Sequence, residues 1–220
     1  MRRNILKLAV IATAVVMGLA CTFQAQAQDK PAQQPQQKGV VINGVAWATC
    51  NVGAFGAFAE KPESDGMLYQ WNKKTAWSTT GGVKDWDDTH RTGDVWIEEN
   101  DPSPKGWRIP TAYELKTLLD TEKVSRVWTT LNGVYGTRFT DKITGNSIFL
   151  PAAGYRDSIF GMLSGGTGNK ASGYYWSSTD YLTYGMSSIT SYYLFFNNSK
   201  VELNNDKYKS YGFSVRCVAK

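Results

Sequence analysis

Apolar and polar residues alternate with the two-residue period of β-strands in much of the C-terminal half of the chain. The clearest case is 211–218, where Tyr211, Phe213, Val215 and Cys217 alternate with smaller or polar residues. Shorter stretches share this composition, and together they predict strands over 147–150, 152–155, 174–177, 192–196 and 211–218. The alternation places Cys217 on the apolar, buried face of its strand.

The first half of the chain contains one clear hairpin signal and one long irregular stretch. Asn43 and Gly44 separate the β-rich triplets 40–42 and 45–47, and Asn-Gly in that position predicts a tight hairpin turn. Residues 53–96 show no period, although four tryptophans are spaced along them. We expect this stretch to be a long loop that its aromatic residues hold against the core.

One helix is marked by its N-terminal chemistry. Thr111 and Glu114 form the capping-box pattern, and leucines follow at helical spacing. The pattern predicts a helix from Ala112 to about Glu122. We expect its buried side chains to be Leu115, Leu118 and Leu119.

The N-terminal residues have the pattern of an export signal. A basic start, an apolar run and the small-x-small sequence Ala25-Gln26-Ala27 predict a signal peptide over 1–27. Residues 28–39 are a Gln/Pro-rich linker, and the domain occupies 40–220. Cys21 stands in a weak lipobox context, so lipidation at Cys21 is the alternative to free secretion. The expected location is the periplasm, the outer-membrane surface or the medium.

Composition and charge narrow the function classes. The net charge of +5 includes three basic residues of the predicted signal peptide, and the remainder has 21 basic against 19 acidic residues, or +2. Such a surface gives no support for nucleic-acid binding. Cys50 and Cys217 remain in an oxidising compartment, where they form either a disulfide that ties the domain ends together or two buried free thiols.

An enzymatic active site is not indicated. The single histidine, His90, lies in a polar acidic stretch, and no G-x-S-x-G sequence is present. Aromatic residues carry more information, because the chain has 8 Trp, 12 Tyr and 9 Phe. Tyrosines combine an apolar ring with a polar tip and suit both glycan and protein contacts. The candidate ligand-binding residues are Tyr174, Tyr181, Tyr184, Tyr192, Asn197 and Asn198, with tyrosines 181 and 184 expected in a loop, whereas Trp176 is expected in the core.

No dedicated cofactor is indicated, but a calcium site is conceivable in an oxygen-rich stretch. Asn197, Asn198 and Asp206 supply the amide and carboxylate oxygens that calcium prefers. Their spacing matches no fixed calcium motif. The sequence therefore offers this site only as a weak hypothesis.

Six ordered motifs resemble the Fibrobacter succinogenes major paralogous domain, which is common in exported proteins of Bacteroidetes and their relatives: WATCNVG (47–53), YQW (69–71), KGWRIPT (105–111), FLPAAGYR (149–156), YWSST (175–179) and SVRCV (214–218). The resemblance implies an α+β, C-type-lectin-like fold, with a small twisted, mostly antiparallel sheet, one or two helices, long loops and paired first and last strands. One position departs from the pattern: Ser103 stands where members of that family often carry a cysteine. A disulfide that uses that cysteine is therefore absent.

The resemblance and the tyrosines together lead to an expectation about function. We expect a non-enzymatic exported or cell-surface binding module whose partner is a glycan or a surface protein. The loops expected to hold the ligand are 161–173 and 186–193. A membrane is a partner only if Cys21 is lipidated. The alternative is a structural or assembly subunit of a surface appendage or envelope complex, for which the Gln/Pro linker is suggestive.

Overall fold

The computed structural model describes residues 39–220, apart from residues 90–92, 94, 167, 169, 170, 184 and 185 and the side chains of residues 183, 186 and 187. The predicted signal peptide, Cys21 and all of the predicted linker except Gly39 lie outside the described residues. The same holds for His90 and Tyr184.

The described part of the chain is largely β-structure, with one six-residue α-helix and one 3-10 turn (Glu98–Asn100). The predicted mostly antiparallel sheet structure is present, but the helical share is too small for the predicted α+β class. The strands are β1 (Val40–Ile42), β2 (Val45–Trp47), β3 (Leu68–Gln70), β4 (Ala76–Trp77), β5 (Trp107–Arg108), β6 (Val124–Leu131), β7 (Val134–Asp141), β8 (Ser147–Pro151), β9 (Tyr155–Arg156), β10 (Leu163–Ser164), β11 (Gly173–Thr183), β12 (Met186–Phe196), β13 (Val201–Tyr208), β14 (Gly212–Ser214) and β15 (Val218–Ala219).

A four-stranded sheet brings the two ends of the domain together in the order β1-β2-β15-β5. The predicted hairpin is confirmed, with Asn43 and Gly44 at φ 45° and 80° as a tight two-residue turn requires. Val218 of β15 pairs with Trp47 of β2. The last strand of the domain therefore closes against its N-terminal hairpin.

The largest sheet has eight strands and forms the centre of the domain. Its main order is β10-β9-β14-β11-β12-β13, and β3 and β4 extend it beside β14. All its pairs are antiparallel except β11 with β14. A third sheet, β6-β7-β8, is antiparallel and packs beside it.

The helix α1 (Ala112–Thr117) begins as predicted and ends earlier than predicted. Thr111 accepts a hydrogen bond from the Glu114 amide, and the Glu114 side chain accepts from the Thr111 amide. After Thr117 the amides of Leu118 and Leu119 bond three residues back, and the chain turns into β6 at Val124. Leu115 and Leu118 are fully buried, whereas Leu119 is half-buried.

The predicted strands are confirmed in part, and their lengths differ. The predicted strand over 211–218 divides, because β14 belongs to the eight-stranded sheet and β15 to the four-stranded sheet. The residues between them run beside 48–52, where Val52 and Ala48 donate backbone hydrogen bonds to Val215 and Cys217. The predicted strand over 152–155 is limited to Tyr155, because Gly154 has φ 72° and bends the chain. The stretch 186–193, expected to be a loop, lies in β12.

Buried side chains form two clusters, one on each side of the eight-stranded sheet. One cluster includes Tyr175, Leu194 and Phe196 and packs against α1 and the three-stranded sheet. The other includes Trp176 and Phe213 and packs against the irregular segment that follows β2. Trp71 and Trp96 are buried, as predicted for the aromatic residues of 53–96. The prediction that this stretch is a loop throughout is wrong, because β3 and β4 lie within it and join the eight-stranded sheet.

Candidate functional site

One side of the eight-stranded sheet carries a continuous row of aromatic rings, which we call the aromatic strip. Tyr174 pairs with Phe195 and Trp176 pairs with Tyr193 across β11 and β12, so these four side chains share one face. Rings from β9, from β14 and from the residue before β14 continue the row. The strip consists of Tyr155, Tyr174, Trp176, Tyr193, Phe195, Tyr211 and Phe213.

The rings are in direct contact along the whole strip. The Tyr174 ring centroid lies 4.8 Å from Tyr155, 5.1 Å from Phe195 and 5.1 Å from Phe213. Tyr211 lies 5.7 Å from both Tyr155 and Phe213. These distances are those of favourable edge-to-face and tilted aromatic pairs. The strip is therefore one packed surface whose parts come from residues 155 to 213.

The strip has a buried floor and an accessible rim. Trp176, Tyr193 and Phe213 are at most 2% exposed and form the floor. The Trp176 indole nitrogen donates to the Tyr69 carbonyl at 2.8 Å, which fixes its ring. The four rim residues are only half-buried, so part of each side chain is exposed to solvent: Tyr155, Tyr174, Phe195 and Tyr211.

Polar side chains of β13 border the strip. Glu202 pairs with Phe195 and Asn204 with Tyr193 across β12 and β13. The Tyr193 hydroxyl donates to Asp206 Oδ1 at 2.5 Å, and Asn204 Nδ2 donates to Glu202 Oε1 at 2.8 Å. Glu202, Asn204 and Asp206 therefore line one edge of the aromatic surface with hydrogen-bonding groups.

Two lysines lie at the two ends of this polar edge. Lys200 contacts Glu202 at 2.7 Å, and its Nζ lies 5.2 Å from the Phe195 ring centroid. Lys207 contacts Asp206 at 3.2 Å and lies 5.9 Å from the Tyr211 ring centroid. The rim thus combines apolar rings with ion pairs, a combination typical of surfaces that bind a partly polar ligand.

The local environment fixes the protonation states of these groups. Burial, together with nearby Tyr155, Asp206 and Tyr211, raises the pKa of Tyr174 to about 12. Burial alone would raise the pKa of Asp206, but the hydrogen bonds from Tyr193 and Lys207 outweigh it and hold that pKa below its usual value. Hydrogen bonds from Lys200 and Asn204 lower the pKa of Glu202. At neutral pH the Tyr174 phenol is therefore neutral, and the carboxylates of Glu202 and Asp206 are ionised.

The structure assembles only part of the predicted ligand-binding set. Tyr174 lies on the strip, but Tyr181 and Tyr192 form a separate edge-to-face pair at 5.6 Å. Tyr181 lies in β11 rather than in the expected loop, because β11 extends to Thr183. Asn197 and Asn198 lie in the turn between β12 and β13. Tyr184 lies outside the described residues.

The structure does not bring the calcium candidates together. Asn197 Oδ1 accepts hydrogen bonds from Ser199 and from the Lys200 amide, so it organises the turn. Asp206 lies five residues beyond the start of β13, or about 16 Å along an extended strand. Within the described residues no group of three or more His, Cys, Asp or Glu side chains is placed to hold a metal ion.

The two domain cysteines are buried free thiols, which is the second of the two alternatives that the sequence left open for Cys50 and Cys217, and the candidate disulfide is not formed. Cys217 Sγ donates to Ser103 Oγ at 3.1 Å, so its side chain is directed to Ser103. Cys50 Sγ lies beside the Thr49 hydroxyl at 3.8 Å. Burial raises the pKa of Cys217 to about 12, so this thiol stays protonated and unreactive at neutral pH.

Sequence reasoning missed most of the strip. Tyr155, Phe195 and Tyr211 were not among the predicted ligand-binding residues, and neither were Glu202 and Asn204. A signal for them exists, because aromatic residues stand two apart at 174/176, 193/195 and 211/213. Polar side chains alternate in the same way at 202, 204 and 206.

Comparison with known proteins gives one match. Residues 129–218 match the family described as Domain of unknown function (DUF8237). No curated protein and no solved structure matches the chain. No helix of the described residues is long and apolar enough to cross a membrane. The matched segment contains every ring of the aromatic strip, so the candidate site lies entirely within the part of the chain that is similar to this family.

Proposed function

We propose that this chain is a non-enzymatic, exported binding module that holds a glycan on the aromatic strip. The observation that carries the proposal is the open rim of Tyr155, Tyr174, Phe195 and Tyr211 beside the polar edge of β13. Aromatic rings stack on the apolar faces of sugars, and carboxylates and amides bind sugar hydroxyls. The strip offers both kinds of group side by side.

The charges of the polar edge support binding rather than hydrolysis. Glycoside hydrolysis by two carboxyl groups needs one with a raised pKa to act as the acid. Glu202 and Asp206 both have lowered pKa values, and each is paired with a lysine. Their role in the proposal is therefore to accept hydrogen bonds from a ligand.

The proposal includes a C-type-lectin-like fold. Its support is the pairing of β15 with β2, which joins the ends of the domain, together with a single capped helix and a long irregular segment. The burial of Trp107 and Trp176, which lie in two of the motifs shared with the resembling family, also supports it. Export to the periplasm, cell surface or medium rests on the sequence of 1–27.

The test is a glycan and polysaccharide binding screen on protein purified after export, with calcium and again with EDTA. We expect at least one glycan to bind equally in both arms, because the strip binds through rings and hydrogen bonds. Tyr174→Ala and Phe195→Ala should each weaken binding about tenfold or more. Tyr113→Ala is the matched control, since Tyr113 is 78% exposed and lies on α1, away from the strip.

Two results would overturn the glycan proposal. One is the absence of any glycan ligand, and the other is a ligand whose affinity is the same in Tyr174→Ala and wild type. A ligand that is lost in EDTA would instead reinstate a calcium-dependent site. Mass spectrometry of the same preparation distinguishes a chain that starts at Gln28 from one that is lipidated at Cys21.

A second candidate function, a subunit of a surface assembly, is favoured by an apolar turn. Ile159, Phe160 and Met162 are 58%, 67% and 62% exposed. The Asp157 carboxylate accepts hydrogen bonds from the backbone amides of all three, so the turn is held in one shape. Exposed apolar residues on a fixed turn are typical of protein contacts.

The assembly candidate has its own test. Envelope proteins crosslinked to the wild-type chain are compared with those crosslinked to Phe160→Ser and to Tyr174→Ala. A partner lost only with Phe160→Ser would support an assembly role for the turn. A partner retained in both variants would contradict it.

A further inference from the structure

A cavity lies between the three-stranded sheet and the turn that joins β12 to β13. Its volume is about 220 Å³, and we call it the turn cavity. Its walls are Arg126 and Trp128 of β6, Thr137 of β7 and residues 197–201. The predicted ligand-binding residues Asn197 and Asn198 are therefore beside this cavity rather than on the strip.

The charges around the turn cavity are of one sign. Arg126 and Lys200 are cationic, and no aspartate or glutamate among the residues that the structure describes lines the cavity. Lys200 is engaged by Glu202 at 2.7 Å. Arg126 is half-buried and forms no ion pair with any acid of the described residues. A half-buried guanidinium without a paired carboxylate can bind an anion with its planar set of donors.

Two further polar groups in the wall have no hydrogen-bond partner in the described part of the chain. The Trp128 indole nitrogen and the Thr137 hydroxyl are buried and unpaired, and the two residues face each other across β6 and β7. Buried groups of this kind are nearly always paired in native proteins. Asn197 Oδ1 is already occupied by the turn, so the group this side chain has left to offer is its amide donor.

We propose that the turn cavity binds a small oxyanion, such as the carboxylate of an acidic sugar residue. Arg126 supplies the charge, and the indole, hydroxyl and amide groups supply further donors. The volume lies below the range of roughly 300–1,000 Å³ that holds drug-sized ligands, so the ligand is one small anionic group. This site shares Lys200 with the polar edge beside the strip, but the rings of the strip are not among its walls, and it does not require the glycan proposed for the strip.

The test is calorimetric titration in phosphate-free buffer at low salt with three probes: glucuronate, glucose and inorganic phosphate. We expect binding of glucuronate and no binding of glucose, which lacks the carboxylate. Tighter binding of glucuronate than of phosphate assigns the site to an acidic sugar, and the reverse order assigns it to a free inorganic anion. Either order of the two affinities supports the oxyanion site. The affinity for each anion should fall as salt is added, because salt screens the charge of Arg126.

Variants on the two faces of one sheet make the test specific. Arg126→Gln should reduce the affinity about tenfold or more, since a charge-assisted hydrogen bond is lost. Arg138→Gln is the matched control, because Arg138 pairs with Val127 and not with Arg126, on the other face of the same sheet. Trp128→Phe removes the indole donor while it keeps an aromatic side chain of smaller size, and it should also weaken binding. It keeps the test valid if Arg126→Gln does not fold.

Three outcomes would overturn the proposal. They are the failure of both anions to bind, equal binding of glucose and glucuronate, and equal affinity in Arg126→Gln and Arg138→Gln. Tyr174→Ala should leave anion binding unchanged. Loss of glycan binding at the strip and loss of anion binding at the turn cavity are therefore separate results.

Discussion

The two sides of the eight-stranded sheet are built from adjacent residues and are covered in different ways. Tyr175 and Phe196 face α1 and the three-stranded sheet and are fully buried. Their sequence neighbours Tyr174 and Phe195 face the other side, where an irregular segment covers only the floor of the strip. Regular elements thus seal one side completely, while loop coverage leaves aromatic rings open on the other.

The hydrogen bonds of the two sides differ in the same way, since they are buried on the sealed side and partly exposed on the open side. On the sealed side Tyr175 donates to the Pro151 carbonyl at 2.7 Å and accepts from Asn51 at 3.1 Å. Asn51 in turn accepts from Arg216, whose guanidinium is fully buried. On the open side Tyr193 donates to Asp206, whose carboxylate is 63% exposed. The sealed side should therefore determine stability, and the open side should determine binding.

The largest effect should come from the buried guanidinium of the sealed side. Arg216 donates to Asn51 Oδ1 at 2.9 Å and to the Ala48 and Phe149 carbonyls at 3.0 Å. Arg216→Met would leave all three acceptors unpaired and should lower the free energy of unfolding by about 3–5 kcal/mol. Urea unfolding measures this free energy. The control variant Arg138→Met should change the free energy of unfolding by less than about 1 kcal/mol. Equal losses in the two variants would contradict a stabilising role for the buried network.

The next largest effect on the free energy of unfolding should come from a new disulfide on the loop-covered side of the sheet. Cys217 belongs to the cluster beneath the strip and contacts Ser103 across 114 residues of chain. Ser103→Cys should form a disulfide with Cys217 during oxidative folding and raise the free energy of unfolding by about 2–4 kcal/mol. Peptide mapping without reductant identifies the bridge, and unfolding with and without reductant measures its effect. A bridge to Cys50 instead would show that the Ser103 contact does not determine the pairing.

Adjacent tyrosines give the most direct comparison of the two sides. Tyr175→Phe removes a hydroxyl with two buried hydrogen bonds and should lower the free energy of unfolding by about 1.5–3 kcal/mol. Tyr174→Phe should change it by less than about 0.5 kcal/mol, because its half-buried hydroxyl has no hydrogen bond within the described residues. Urea unfolding of both variants is the measurement. A larger loss in Tyr174→Phe would reverse the assignment of the two sides.

Local signals made the hairpin and the helix start predictable. The Asn43–Gly44 turn and the Thr111 capping box each need only a few neighbouring residues, and both are present. The same Asn-Gly signal at Asn132–Gly133 was missed, although it joins the β6–β7 hairpin with both residues at positive φ. Its flanking strands contain arginine and threonine, so they lack the apolar triplets that made the first hairpin evident.

Long-range pairing made the strip unpredictable as a site. Tyr174 was proposed for its residue type, but its ring contacts come from Tyr155, Phe195 and Phe213, which lie on other parts of the chain. Sheet order determines which rings meet, and a single sequence does not reveal that order. The sequence left the state of the two cysteines open for the same reason, because the neighbour of Cys217 is Ser103, which lies 114 residues away along the chain.

The smallest effect should be an alkaline loss of stability from the tyrosines. Burial raises the pKa of Tyr174 from 10.0 to about 12, so its neutral form is favoured in the folded state. Its contribution to stability is complete below about pH 10 and is lost as the pH rises towards about 12. Burial raises the pKa of fully buried Tyr175 further, so Tyr175→Phe should reduce the alkaline slope more than Tyr174→Phe. Urea unfolding across this pH range, with tyrosinate absorbance at each pH, tests the order, and a steeper slope in either variant would contradict it.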